Sequence, residues 1–252
     1  MKHAFVLPCY FQRENPVVIN AVKSIRKFHP DSPIIIIDSG SSDKSYYKDL
    51  EAYSVIIEDV SNKNYDTGAY WYAYTKYTDI EFFYFIHDSI ELYDNLFDLF
   101  VHDITSIRYF NSANIVGGRY IISGRSDFIK KYILSKLGRL DWLNDIYGCN
   151  NSDQLKWIHD QMKRIRYWIP DFFPALFGPM MCVKREVMDR LANAGLNKIL
   201  PTNKNEQMAM ERIFGIALMQ EGYDFVNNSL QGDQLANQLD TSRFNKIILN
   251  RS

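Results

Sequence analysis

Three short polar clusters each close an apolar run. Pro8-Cys9-Tyr10 ends the run that starts at His3, Asp38-Ser39-Gly40-Ser41-Ser42-Asp43 follows four isoleucines, and His87-Asp88-Ser89 follows EFFYFI. Carboxylates, hydroxyls and an imidazole so placed can bind ligand hydroxyls, hold a hard divalent cation or move a proton. In a parallel α/β sheet, ligands bind in the crevice outside the carboxyl ends of the strands, where all three clusters would fall. Each also has a plainer reading. DSGSSD is equally a turn with Ser42 or Asp43 capping the next helix, and HDS a strand end meeting water. Three in succession point to a ligand site.

The elements that must position them follow from pattern. HAFVLP predicts a first strand closed by proline, and Asn15-Pro16 a helix start with proline at its first position. Val18, Ala21, Val22 and Ile25 recur at helical spacing. PIIIID lacks polar alternation, as expected of a strand covered on both faces. Tyr53 to Ile57 reads as a third strand, Thr67 to Tyr77 as a helix and Glu81 to Ile86 as a fourth strand. This alternation predicts a mainly parallel sheet with helices on both faces. Asn114 to Ile122 suggests a further strand, PMMCV leads into a helix over 184–194, and a longer helix runs from about Glu206 to Gln220, with Gly222 as its cap. Residues 125–172 read as a basic, aromatic excursion from the sheet. The organisation expected is one α/β domain over 1–252, with a nucleotide-binding half (1–110) and an acceptor-binding half (111–252).

Composition narrows the partners. The 252 residues carry 29 basic and 30 acidic side chains, a balance that excludes a general nucleic-acid binder, which needs a basic excess. Cys9, Cys149 and Cys182 show neither a zinc spacing nor a disulfide framework, which favours a reducing compartment. MKHAFVLPCYFQREN is unlike a signal peptide, and no apolar run reaches about 18 residues, so no transmembrane segment is expected. The expected location is cytoplasmic, with at most peripheral contact with membranes. A Walker loop and a Gly-x-Gly-x-x-Gly fingerprint are absent.

The order of motifs resembles the GT-A fold glycosyltransferases, especially the inverting family 2 type. IIIIDSGSSD resembles that family's strand followed by Asp-Asp-Gly-Ser-Thr-Asp, with Ser39 at the second acidic position, and LPCY fits its first strand. NKNYDTGAYWYAY resembles the Asn-x-x-Asp-x-Gly segment, and EFFYFIHDSIEL occupies the place of the Asp-x-Asp strand. FGPMMCVKREVMDRL and NEQMAMERIFGIALMQEGYDF resemble the later strand–helix and Glu-Asp helix segments. The resemblance spans Ala4 to Phe225 and lies in order and spacing.

It implies roles. Asp38 would accept hydrogen bonds from base or ribose, Pro8 and Tyr10 would line the base pocket, and Asp66 and Gly68 would lie beside the nucleoside, although Asn64 to Gly68 also reads as a turn into a helix. His87 joins the nucleotide-binding positions. Asp88 would hold a divalent cation, Mn²⁺ or Mg²⁺, against the donor phosphates. The His87-Asp88-Ser89 sequence leaves a single carboxylate there, which puts the metal in doubt. Arg13, Lys63, Arg119 or Arg125 would be substitutes for it. An inverting transfer needs a carboxylate base, and counting back from Arg212 selects Glu206, with Glu211 in reserve. Donor and acceptor would be a nucleoside-diphosphate sugar, UDP foremost, and a glycan or lipid-linked hydroxyl. Trp142, Trp157, Tyr167, Trp168, Phe172 and Phe173 form either an acceptor lid or a small satellite core. His159 and Asp160 read as helix surface. Two other functions compete: a sugar nucleotidyltransferase, which the glycine-free CYFQREN opposes, and a non-catalytic binding module on the same fold.

Overall fold

A computed structural model describes residues 2–10, 17–111, 152–170, 173–234, 236 and 238–246. Strand β1 (His3–Cys9), helix α1 (Val18–Phe28), β2 (Ile34–Asp38), α2 (Tyr46–Glu51), β3 (Ile56–Asp59), α3 (Tyr65–Lys76) and β4 (Phe82–Phe85) alternate as the pattern predicts. There follow β5 (Ile90–Leu92), β6 (Ile104–Ser106), β7 (Tyr109–Asn111), α4 (Ser152–Met162), β8 (Pro174–Leu176), β9 (Met181–Lys184), α5 (Arg185–Asn193), α6 (Lys204–Gln220), β10 (Gly232–Asp233), β11 (Gln238–Leu239) and β12 (Phe244–Lys246). The central sheet has the order β3-β2-β1-β4-β9-β6. Its first four strands are parallel, and β9 runs antiparallel to both neighbours. The mixed α/β, mainly parallel architecture is therefore as expected.

The isoleucine run shows why helices must cover both faces. Ile35 and Ile37 enter one core with Tyr70 of α3 and Ile213 and Phe214 of α6. Ile34 and Ile36 enter the other with Val18, Ala21, Val22 and Ile25 of α1. Alternate side chains of a strand point to opposite faces, so an unbroken apolar run needs two cores. The predicted α1 face is buried throughout.

The third strand starts later than expected. Tyr53 and Ser54 instead close α2, their N–H groups donating to the carbonyls of Leu50 and Glu51. Ser54 is left-handed at φ 51°, and Arg26 ties down the carbonyls of Tyr53 and Ser54. The aromatic and β-branched residues there satisfy a helix end rather than a ladder. Asn15-Pro16, Asn114 to Ile122, Arg13, Arg119, Arg125, Trp142, Cys149 and Phe172 lie outside the described residues. Within the predicted excursion, Tyr167 and Phe173 are buried in the α6-side core and Trp157 packs against it, whereas Trp168 is 58% exposed. Tyr167 and Phe173 thus behave as core.

Helix α6 is capped at both ends. Asn203 accepts from the Glu206 N–H at 3.0 Å, and the Glu206 carboxylate reaches back to the N–H and hydroxyl of Thr202 at 2.6 and 2.8 Å. This is capping-box chemistry displaced by one residue. At the other end Gly222, at φ 84°, completes a Schellman motif in which its N–H donates to Met219 and that of Tyr223 to Leu218. In mid-helix, a Cβ on Gly215 would overlap the Pro174 carbonyl, so glycine lets α6 lie directly on β8.

Candidate functional site

β4 delivers His87 to the carboxyl edge of the sheet, where the chain turns, Ile90 N–H to His87 carbonyl, into β5. The imidazole Nε2 lies 2.8 Å from the Gly178 carbonyl and 3.1 Å from the Asp66 carboxylate in the first turn of α3. Both partners can only accept, so Nε2 carries the hydrogen. Burial opposes a charge on this ring, but the adjacent Asp66 outweighs it, and the His87 pKa is raised above its ordinary value.

Gly178 is the hub between the two halves of the chain. Its φ is 63°, and a Cβ there would overlap the His87 ring, so only glycine fits. Its carbonyl takes His87, and its N–H donates to Glu211 at 2.9 Å. The other Glu211 oxygen lies 3.1 Å from the Arg212 guanidinium, which also donates to the Met208 carbonyl and sits over Phe110. Glu211 and Arg212 are 8% and 2% exposed in the middle of an apolar helix. Taking such charges out of water costs several kcal/mol per ion, and functional clefts are where such cost is commonly tolerated. Burial raises the Glu211 pKa, with Arg212, the Gly178 N–H and His87 pulling it back.

Two cations complete the cluster, and neither was singled out from the sequence. β12 pairs antiparallel with β5, setting Lys246 opposite Ile90 and close to the His87-Asp88-Ser89 turn. Phe244, on the same strand face, is buried in the core, so the Lys246 stem also leads inward. Burial lowers the Lys246 pKa, while Asp66, Asp88 and Glu211 oppose that shift and Arg108 adds to it. Arg108 lies between β6 and β7, where its carbonyl accepts from the Phe177 N–H at 3.0 Å. Burial lowers its pKa too. The Arg108 guanidinium and the Lys246 ammonium lie 4.7 and 5.4 Å from the centre of the Phe177 ring.

The predicted site residues separate into groups. Asp66 and His87 pair, and Glu211 joins them through Gly178. Asp88, half-buried beside His87, lies near enough to act on the Lys246 charge. Glu206 is committed to the α6 cap; Glu211, a turn and a half further along, is the acid that joins His87 on Gly178. Asp38 is fully buried, with one oxygen accepting from the Gly40 and Ser41 N–H groups and the other from the Tyr46 and Tyr47 hydroxyls. Those four donors use its accepting capacity, so it shapes the 38–41 turn, and a ligand donor would have to displace one of them. Burial raises its pKa and the four donors more than reverse this, leaving it lowered. Pro8 is buried in β1, and Tyr10 is 58% exposed just beyond. Gly68 sits in the first turn of α3, where a Cβ would overlap the Asn62 side chain. Asn62 also donates to the Ser39 hydroxyl at 3.0 Å, tying the loop after β3 to that after β2. His159 and Asp160 pair at 3.7 Å on α4, away from this cluster in contacts.

A divalent cation fits this donor set poorly. His87 Nε2 is already engaged by Asp66 and Gly178, and among the described residues no three His, Cys, Asp or Glu side chains gather as ligands. Lys246 also brings a positive charge close to Asp66 and Asp88. No step is therefore routed through a metal.

No family model and no curated protein matches the chain. Among solved structures, residues 1–349 of S. aureus TarS align over 84% of this chain and 55% of that one, at 12% identity and a TM-score of 0.42. The same TarS fragment in complex with UDP aligns over 43% of this chain and 35% of that one, at 14% identity and a TM-score of 0.35. The apo structure of WbbM, a bifunctional glycosyltransferase, aligns over 84% and 38%, at 10% identity and a TM-score of 0.39. The chain spans about half or less of the length of these structures, and likeness this loose assigns nothing to it. No described helix is long and apolar enough to cross a membrane.

Proposed function

We propose that the protein is a glycosyltransferase that moves a sugar from a nucleoside-diphosphate sugar to a hydroxyl of a glycan or lipid-linked acceptor, with inversion. The observation that supports this most is the relay Asp66–His87–Gly178–Glu211 at the carboxyl edge of the sheet, where a buried carboxylate from the second half meets strand ends of the first. In this reading the nucleoside lies against Pro8, Tyr10 and the 38–41 turn, with Asp66 and Gly68 beside it. Glu211 is the base, since burial raises its proton affinity towards working pH. It takes the proton from the acceptor hydroxyl as that oxygen bonds to the anomeric carbon. The bond from that carbon to the diphosphate oxygen breaks, and the nucleoside diphosphate leaves with the electron pair. Protonated His87 places positive charge near the phosphates. Polysaccharide assembly is the process such a reaction would serve.

The test is turnover with a panel of nucleoside-diphosphate sugars, UDP sugars first, and mixed glycan and lipid-linked acceptors. Release of nucleoside diphosphate that depends on acceptor, with an inverted anomeric product by NMR, is expected. A protein that binds nucleotide but transfers nothing across the panel is the binding module instead, a reading favoured by the slight exposure of Glu211. Formation of a sugar nucleotide from a sugar phosphate and a nucleoside triphosphate would indicate the nucleotidyltransferase.

A further inference from the structure

Phe177 and Gly178 are adjacent, and each recruits a different part of the site. Gly178 fixes His87 and Glu211, while Phe177 takes the Arg108 guanidinium and the Lys246 ammonium over its ring. Among the described residues, no carboxylate forms an ion pair with either cation. The Arg108 Nε is buried and has no hydrogen-bond partner in the protein. A buried donor left unpaired costs about 1–3 kcal/mol, so its retention needs a reason, and a bound anion supplies one. Both cations are half-buried, so a ligand meeting them sheds water and gains charge-assisted bonds. The β12–β5 register brings Lys246 beside the turn where a metal-dependent enzyme would keep its cation.

We propose that Arg108 and Lys246, held over Phe177, form an anion site that takes the donor diphosphate in place of a divalent cation. The proposal rests on the glycosyl-transfer reading for the identity of the anion, but the site itself is testable alone. Arg108 would present its planar donors to one phosphate and Lys246 a point charge to the other. Both would oppose the negative charge that grows on the leaving oxygen.

The probe is inorganic pyrophosphate, followed by UDP, titrated calorimetrically into the full chain in EDTA and then in Mn²⁺. Binding in EDTA is expected, with affinity changed less than about threefold by Mn²⁺. Lys246→Met and Arg108→Met should each weaken it tenfold or more, and Arg108→Lys should restore part of the loss. Lys27→Met removes an exposed cation of similar geometry over Phe28, at 4.9 Å, and should change nothing. Should a methionine variant unfold, Lys246→Gln and the loss of affinity with rising salt give the same reading. Binding that needs Mn²⁺ and disappears in Asp88→Asn would overturn the proposal and restore the cation. Wild-type affinity in both methionine variants, or no pyrophosphate binding by folded wild type, would overturn it as well. Pyrophosphate binding without sugar transfer would leave the anion site standing and sink the transferase. Transfer at wild-type rates in both variants would do the reverse.

Discussion

The imidazole Nε2 of His87 lies 2.8 Å from the carbonyl oxygen of Gly178, across 91 residues of chain. The contact exists because residue 178 has no Cβ and occupies a left-handed conformation. Gly178→Ala would add both backbone strain and an overlap with the ring. The expected outcome is a loss of about 2–4 kcal/mol, or roughly 4–16 °C in Tm, and at least a hundredfold loss of turnover as His87 is displaced. Thermal melts and initial rates measure the two. Full activity would remove this cluster from the site.

Glu211 and Glu206 make opposite predictions. Glu211→Gln keeps an acceptor for the Gly178 N–H but loses the proton acceptor, so turnover should fall about 10²–10⁴-fold with donor affinity nearly unchanged. Glu206→Gln should cost about 1 kcal/mol or less through the α6 cap and leave turnover within a few fold. Parallel kinetics and melts on the two variants decide the matter. The reverse pattern would put the base at the helix start.

The pH profile should carry the signature of the His87–Asp66 pair. The His87 pKa is raised in the folded protein, so the stability it contributes is present below the unfolded value of about 6.5 and is lost as pH rises through the folded value. If protonated His87 serves the reaction, the alkaline limb of kcat/KM lies above 6.5. Asp66→Asn leaves burial unopposed and should move that limb below 6.5. NMR titration of the ring should move with it, and a ring that titrates identically in both proteins would separate His87 from Asp66.

Asp38→Ala should be a folding mutation. It would strip the acceptor from two hydroxyls and two N–H groups at a buried turn. About 3 kcal/mol, or roughly 6–12 °C in Tm, is expected to be lost. Asp38→Asn, which keeps one oxygen, should lose less than half of that. Differential scanning calorimetry on the three proteins is the check, and an unchanged Tm for the alanine variant would contradict the burial argument.

Much of this architecture was legible in the sequence because it follows from local pattern. The isoleucine run, the α1 face and the Gly222 cap are each decided by a few neighbouring residues, and they fold as read. The start of β3 was misplaced because Tyr53 and Ser54 meet a remote side chain, Arg26, that no local pattern reveals. Asp66 and His87 fell at readable positions, a helix start and a strand end. Choosing between Glu206 and Glu211 required knowing which side of α6 faces Gly178, since five residues turn a helix by about 140°. Arg108 and Lys246 depend on the pairing of β12 with β5 and on a loop beside Phe177, relationships between segments far apart in the chain.

The four isoleucines of β2 are interchangeable, so hydrophobicity alone holds no information about alignment along the strand direction. Sliding β2 by one residue against β1 would swap isoleucine for isoleucine at every central position on both faces. Only the ends are distinguishable. Pro33 has no N–H to offer if drawn into the ladder, and Asp38 would leave its four donors if moved either way. The carboxylate thus works as an index pin, and the alignment of the loop after β2 with the rest of the crevice is specified by one charged side chain.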